Sequence, residues 1–346
     1  MKNLLLGASF LVLAFCTSSC KKCETTSNLN ITHEAAYVVN GGDNNLSVLD
    51  LGNDTKVETI ALNCATLPHH IYLSADKKFL AVAITATDLS GGHSGHGSGT
   101  SSGYKMQVIN ALTGEIHHEL SLTKLPHNGI FSADGKELWV TQADATESSI
   151  LIFETTNFSQ IKEIKVGKGL SEVTFSSDKT KVYAANTTDA TISVIDPTAK
   201  TVTATLKVEA DPVGAWAATN GNMYVDNETG KSISEIDVAT NKITATIPLG
   251  YKPAYAAYND KQKELWVTDA DGGKVVYYKV ISGTWTKQGD IATGADAHAI
   301  VFTADGKKAY ISNQGAASVS VIKVDNHTKI KDITVGSKPN GIALKQ

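Results

Sequence analysis

Several features are scarce or missing from this chain, and each absence removes a class of protein. No apolar run approaches the ~18 residues of a membrane-spanning helix; the run from Leu4 to Phe15 stops at twelve. Neither charge dominates, with 31 Lys and Arg against 35 Asp and Glu for a net −4. The lysines are scattered, so no basic face invites a phosphate backbone and no nucleic-acid partner is expected. There are only four cysteines, too few for a disulfide scaffold in a chain of this length. No segment holds a helical period, which excludes a helical solenoid. Hydrolase and nucleotide signatures are missing too. There is no His-Glu-x-x-His and no Gly-x-x-x-x-Gly-Lys, and Ser94 has His96 rather than glycine two residues on.

What is present is a repeat. An apolar strand recurs as LSVLD from Leu46, MQVIN from Met106, ILIFE from Ile150, ISVID from Ile192, ISEID from Ile233, VVYYK from Val275 and VSVIK from Val319. The intervals are 60, 44, 42, 41, 42 and 44 residues. A second strand precedes each copy (AYVVN, FLAVAI, ELWVT, KVYAAN, NMYVDN, ELWVT, KAYISN), and a third follows, such as TATIPLG or DITVG. A fourth runs into a tight turn, as in IYLSADK, GIFSADG and IVFTADG. Strands rich in Val, Ile, Tyr and Trp, four to a unit at this period, predict an all-β, seven-bladed β-propeller. The first repeat lacks its innermost strand and the chain finishes on one, GIALK from Gly341. One blade should therefore be closed by pairing of the N- and C-terminal strands, which removes two open edges.

These motifs resemble the YVTN-repeat propellers. AYVVN, ISVID, TATIPLG and PHNGIFSADG stand where that family has YVTN, ISVID, TIPVG and PHGIAFSPDG, over residues 35–346. The family includes surface-layer proteins and periplasmic binding propellers, and more distantly the haem-binding propeller of a nitrite reductase. Some surface lipoproteins of similar design capture corrinoids. The resemblance implies the fold; it does not specify a chemistry.

The first twenty residues have a basic Lys2, the short apolar run, then Ser18 and Ser19 before Cys20. This resembles a bacterial lipobox, with Thr17 at the position usually held by leucine. It implies a lipoprotein signal peptide over residues 1–19, lipidation of Cys20, and a tether over 20–34 leading into the propeller. The expected location is outside the cytoplasm, on the outer membrane or cell surface, with a periplasm-facing anchor also open. Ordinary signal cleavage leaving a free Cys20 is the alternative. With Cys16 removed and Cys20 acylated, Cys23 and Cys64 are the one available disulfide pair.

The histidines collect at one end of the expected ring. The seventh residue before each of the turn aspartates Asp76, Asp134 and Asp305 is a histidine: His69, His127 and His298, in blades 1, 2 and 6. The same count gives Ser171, Val213 and Pro253 in blades 3, 4 and 5. The long first interval carries an insertion, residues 87–104, between the second and third strands of blade 1. It contains GGHSGHGSGT with His93 and His96, on the face where His69 and His70 enter. Cys64 precedes them on the same loop. His and Cys suit zinc and copper. The plain alternative is a family histidine that hydrogen-bonds neighbouring loops, and a linker whose histidines bind nothing. Trp216 and Tyr255, on inner strands, are candidates to stack a planar ligand on the ligand face. Asp144, Glu147, Asp189, Glu228 and Asp271 decorate loops and serve solubility.

The leading expectation is a non-catalytic propeller that binds a small ligand or an envelope protein. The alternative is a copper or zinc site, or a haem or corrinoid site, on the histidine-bearing face. A structural surface-layer role remains open.

Overall fold

The computed structural model describes residues 29–90 and 103–346. Seven four-stranded antiparallel sheets follow one another around a ring. Blades 1 to 6 cover residues 68–121, 129–165, 170–207, 212–248, 253–292 and 297–334. Blade 7 joins the strand Pro339–Lys345 to Ala35–Asn40, Asn45–Asp50 and Thr55–Ala61. Its closing register pairs Val38 with Ile342 and Tyr37 with Ala343, so the two ends of the chain share one sheet. The only helix among the described residues is a single 3-10 turn, Gln314–Ala316.

The burial of each strand follows its rank in the blade. The second strand of blade 7, AAYVVN, is buried at every residue, whereas the outer strand TKVETIA is exposed except at Ile60. Inner strands are packed by neighbouring blades on both faces, so they read as continuous apolar runs rather than alternating ones. One such layer joins Tyr183, Ile192 and Val194 of blade 3 to Ala215, Met223 and Val225 of blade 4.

The recurring asparagine at the end of the second strand has a plain physical role. Asn40, Asn186, Asn227 and Asn313 are buried, and each amide donates to hydroxyls on the next strand: Ser47, Ser193, Ser234 and Ser320, at 2.9–3.0 Å. These bonds tie the two strands where the loop leaves the sheet and satisfy groups that burial would otherwise penalise.

The tight turns obey their own chemistry. Ser132, Ser176 and Thr303 donate to Asp134, Asp178 and Asp305, each of which also accepts a backbone N–H two residues on. Those bonds, hydroxyl first, hold the three carboxyls below their ordinary range. The following residue has positive φ. Glycine supplies it at Gly135 and Gly306, while Lys77 and Lys179 adopt it at 61° and 62°.

Candidate functional site

The site begins with a defect in strand pairing. In blade 1, Pro68 pairs with Ile84 and Ile71 with Val82, so His69 and His70 together oppose the single residue Ala83. A regular strand would send consecutive side chains to opposite faces. The bulge cancels that alternation and lets both imidazoles turn toward the channel. The same shift occurs in blades 3, 5 and 6 and in the closing strand of blade 7.

The register also corrects one alignment. Ile71 corresponds to Ala256, because Ala256 pairs with Val267 as Ile71 pairs with Val82. The residue equivalent to His69 in blade 5 is therefore Ala254, not Pro253. The turn aspartate there, Asp260, stands one residue earlier than Asp76 does in blade 1, which shifts the count. Ser171 and Val213 are placed as expected.

At the centre of the ring His69, His70 and His127 meet. All are buried, and their ligand-type nitrogens lie within 4.8 Å of one another. The ring centroids are 4.5 Å apart for His69–His70, 4.6 Å for His69–His127 and 5.0 Å for His70–His127. Beneath them lies Glu172 of blade 3, with no exposed surface. Its Oε1 is 2.6 Å from His127 Nδ1 and 3.4 Å from His70 Nε2, and its Oε2 accepts from the Tyr72 hydroxyl at 2.9 Å. Burial first, and the Glu172 charge second, hold the Tyr72 phenol well above its ordinary range, so it remains a donor. On the other side the Asn340 amide lies 2.9 Å from His69 Nδ1. Four blades thus contribute to one polar plug.

Sequence reasoning missed Glu172, Tyr72 and Asn340. Glu172 had a visible signal, a carboxylate inside the strand LSEVTF, whose other residues are apolar or small and all of which is buried. It sits at the position equivalent to His70, one residue beyond the one the histidine count selected.

The other candidates fall elsewhere. His298 lies at the rim of the plug, 6.4 and 6.1 Å from the His69 and His70 centroids, and lines a mouth cavity of about 290 Å³ with Glu228, Lys252, Asp271 and Asp296. Leu89 and Ser90, at the start of the blade 1 insertion, form part of its wall. His93 and His96 lie outside the described residues. Cys64 is in a disulfide whose partner also lies outside them, so its sulfur offers no thiolate to a metal. That removes Cys64 from the ligand set.

Neither Trp216 nor Tyr255 lines the mouth cavity. They stack on each other inside the channel at 3.7 Å, and Trp216 Nε1 donates to Asp226 at 2.7 Å. Gly214 permits this, since a Cβ there would lie 2.2 Å from the indole. Burial pushes the Asp226 carboxyl well above its ordinary range.

Fold and site together define a seven-bladed propeller whose channel is closed by a histidine–carboxylate plug. Among solved structures the chain is similar to the Pseudomonas aeruginosa periplasmic gluconolactonase at 14% identity, over 90% of this chain and 99% of that one, with a TM-score of 0.72. It is similar to a candidate 6-phosphogluconolactonase of Bacteroides fragilis at 15% identity, over 91% and 99%, with a TM-score of 0.72. It is also similar to a chain of the Kuenenia stuttgartiensis hydrazine synthase at 17% identity, over 80% and 89%, with a TM-score of 0.67. At these identities the likeness is one of fold. No family model and no curated protein matches the chain, so the YVTN-repeat resemblance rests on its motifs.

Proposed function

We propose that this chain is a binding propeller of the cell envelope, and that its channel holds a first-row transition-metal ion on His69, His70 and His127. The observation that carries the reading is the convergence of three buried imidazoles from two blades within 4.8 Å. Tetrahedral nitrogens at ~2.1 Å from one ion are about 3.4 Å apart, so small side-chain rotations complete the set. Glu172 occupies the place of the carboxylate that orients a metal-binding imidazole through its second nitrogen, which makes Nε2 the binding nitrogen of His127. Imidazole donors suit copper and zinc. Burial of the cluster inside the channel wall favours a bare ion over a tetrapyrrole, which needs an open face.

Export and lipidation at Cys20 belong to the same reading. The disulfide at Cys64 supports an oxidising compartment.

The test is elemental analysis of chelator-free protein, followed by calorimetric titration with Cu(II) and Zn(II). Near-stoichiometric metal, with affinity lowered at least 100-fold in the doubly substituted His69→Ala, His127→Ala protein, is the expected result. Absence of metal before and after reconstitution overturns it.

The mouth cavity favours a second reading. Its carboxylates and His298 offer polar groups to a small polyhydroxy substrate, and two structural neighbours bear gluconolactonase names. Hydrolysis of glucono-δ-lactone, lost in Asp296→Asn, would support lactone opening; no rate above buffer would dismiss it.

A further inference from the structure

Below the plug, on the side away from the insertion, the channel opens into a second cavity of about 240 Å³. Its origin is visible ring position by ring position. Blade 1 places His70 and then Tyr72 in the channel. At the equivalents of His70, blade 5 has Tyr255, blade 6 has Ala299 and blade 7 has Gly341. At the equivalents of Tyr72, blades 6 and 7 have Val301 and Ala343. Aromatics of blades 1 and 5 therefore flank the arc of blades 6 and 7, where small residues leave space.

The lining is graded in polarity. His70 and the Tyr72 hydroxyl stand at the inner end, both directed at Glu172. Outward from them the wall includes Ile71, Leu73, Ile342 and Leu344, with Tyr255 along one flank. A mostly apolar cavity with a few convergent polar groups at one end is how small-molecule sites are built.

The geometry points to this cavity as a binding site for a neutral, single-ring amphiphile of phenol size, inserted ring-outward with its polar group on His70 and Tyr72. Size follows from volume: an apolar cavity of ~150 Å³ accommodates benzene, and this one leaves room for a few further heavy atoms. Neutrality follows from the wall, where an ion would lose hydration with no counter-charge in contact. A flat ring is favoured by the Tyr255 face. The site shares His70 with the proposed metal set but uses neither His69, His127 nor the mouth cavity, so its occupancy is read separately from that of the metal by comparing protein with and without EDTA treatment.

The probe is p-cresol, titrated against the full chain by ligand-observed NMR and calorimetry, with and without prior EDTA treatment. The expected dissociation constant is about 0.1–1 mM, given eight heavy atoms. Toluene should bind several-fold more weakly for want of a polar group, and benzoate and benzylamine at least tenfold more weakly. Filling the cavity with Val301→Phe, or separately Ala299→Leu, should abolish binding while thermal unfolding stays cooperative. The His69→Ala, His127→Ala protein should still bind p-cresol, whatever becomes of its metal. No saturable binding, equal affinity for benzoate, or undiminished binding in both cooperatively folding filled variants overturns the proposal.

Discussion

His127 Nδ1 lies 2.6 Å from Glu172 Oε1, a buried contact between the segment entering the inner strand of blade 2 and the inner strand of blade 3. Forty-five residues separate the two in the chain, and neither has measurable exposed surface. A carboxylate buried so deeply is tolerated only where its lone pairs are used. Here Tyr72, His127 and His70 surround it.

Glu172 should therefore be the most sensitive single position in the plug. Glu172→Ala leaves the polar groups around it without their acceptor and should cost roughly 3–5 kcal/mol, the range for breaking a buried pair. Glu172→Gln keeps the shape and should cost less, yet lower copper or zinc affinity by about 10–100-fold through loss of imidazole orientation. Urea unfolding and calorimetry on the two variants separate these effects.

Asn340 should tune the same site from the other side. Its Nδ2 lies against His69 Nδ1, while its Oδ1 is buried without a hydrogen-bond partner. Metal binding through His69 Nε2 requires the proton on Nδ1, and half a turn of the amide presents Oδ1 to receive it. Asn340→Asp offers only acceptors and should tighten Zn(II) binding several-fold, whereas Asn340→Leu should weaken it. Titration calorimetry at pH 7.5 reads both.

Asp226 sets a pH signature independent of any ligand. Burial raises its carboxyl in the folded protein above the unfolded value of about 3.9. A raised acid favours folding while protonated, and that advantage is lost progressively as pH climbs from the unfolded pKa toward the folded one. Asp226→Asn keeps an acceptor for Trp216 without needing the proton. Relative to wild type the variant should gain stability as pH rises above the unfolded value of about 3.9, read as a widening gap in urea midpoints. A gap that shrinks over this range would contradict the assignment.

Lys179 is a site for simple stabilisation. It carries φ of 62° in the turn where Gly135 and Gly306 stand in blades 2 and 6. Left-handed backbone costs a non-glycine residue about 1 kcal/mol, and the Lys179 side chain is exposed. Lys179→Gly should raise stability by about that amount in chemical denaturation, with the metal and p-cresol affinities unchanged.

How far the sequence reached can be read from particular residues. Asn186 and Asn313 were visible as repeat markers, and the structure adds why they recur: each clamps two strands through serine hydroxyls. His69 and His127 were found by counting from turns, because turn geometry fixes register. The same count failed at Pro253, where the blade 5 turn aspartate is shifted by one, and it passed over Glu172, which lies one residue further along.

Periodicity alone determined the seven blades, the four strands of each and the closure by the C-terminal strand, because repeated strands with two apolar faces can bury them only against one another. It did not determine which side chains meet in the channel. That depends on the bulge between Pro68 and Ile71, which turns two consecutive histidines the same way, and on curvature that brings His127 to Glu172 across a blade boundary. It depends equally on the small residues Ala299, Gly341 and Ala343 of blades 6 and 7, lying between the blades that carry Tyr72 and the stacked Tyr255. Contacts between distant strands and the spaces left between them are properties of the closed ring, so the chain expresses them only once folded.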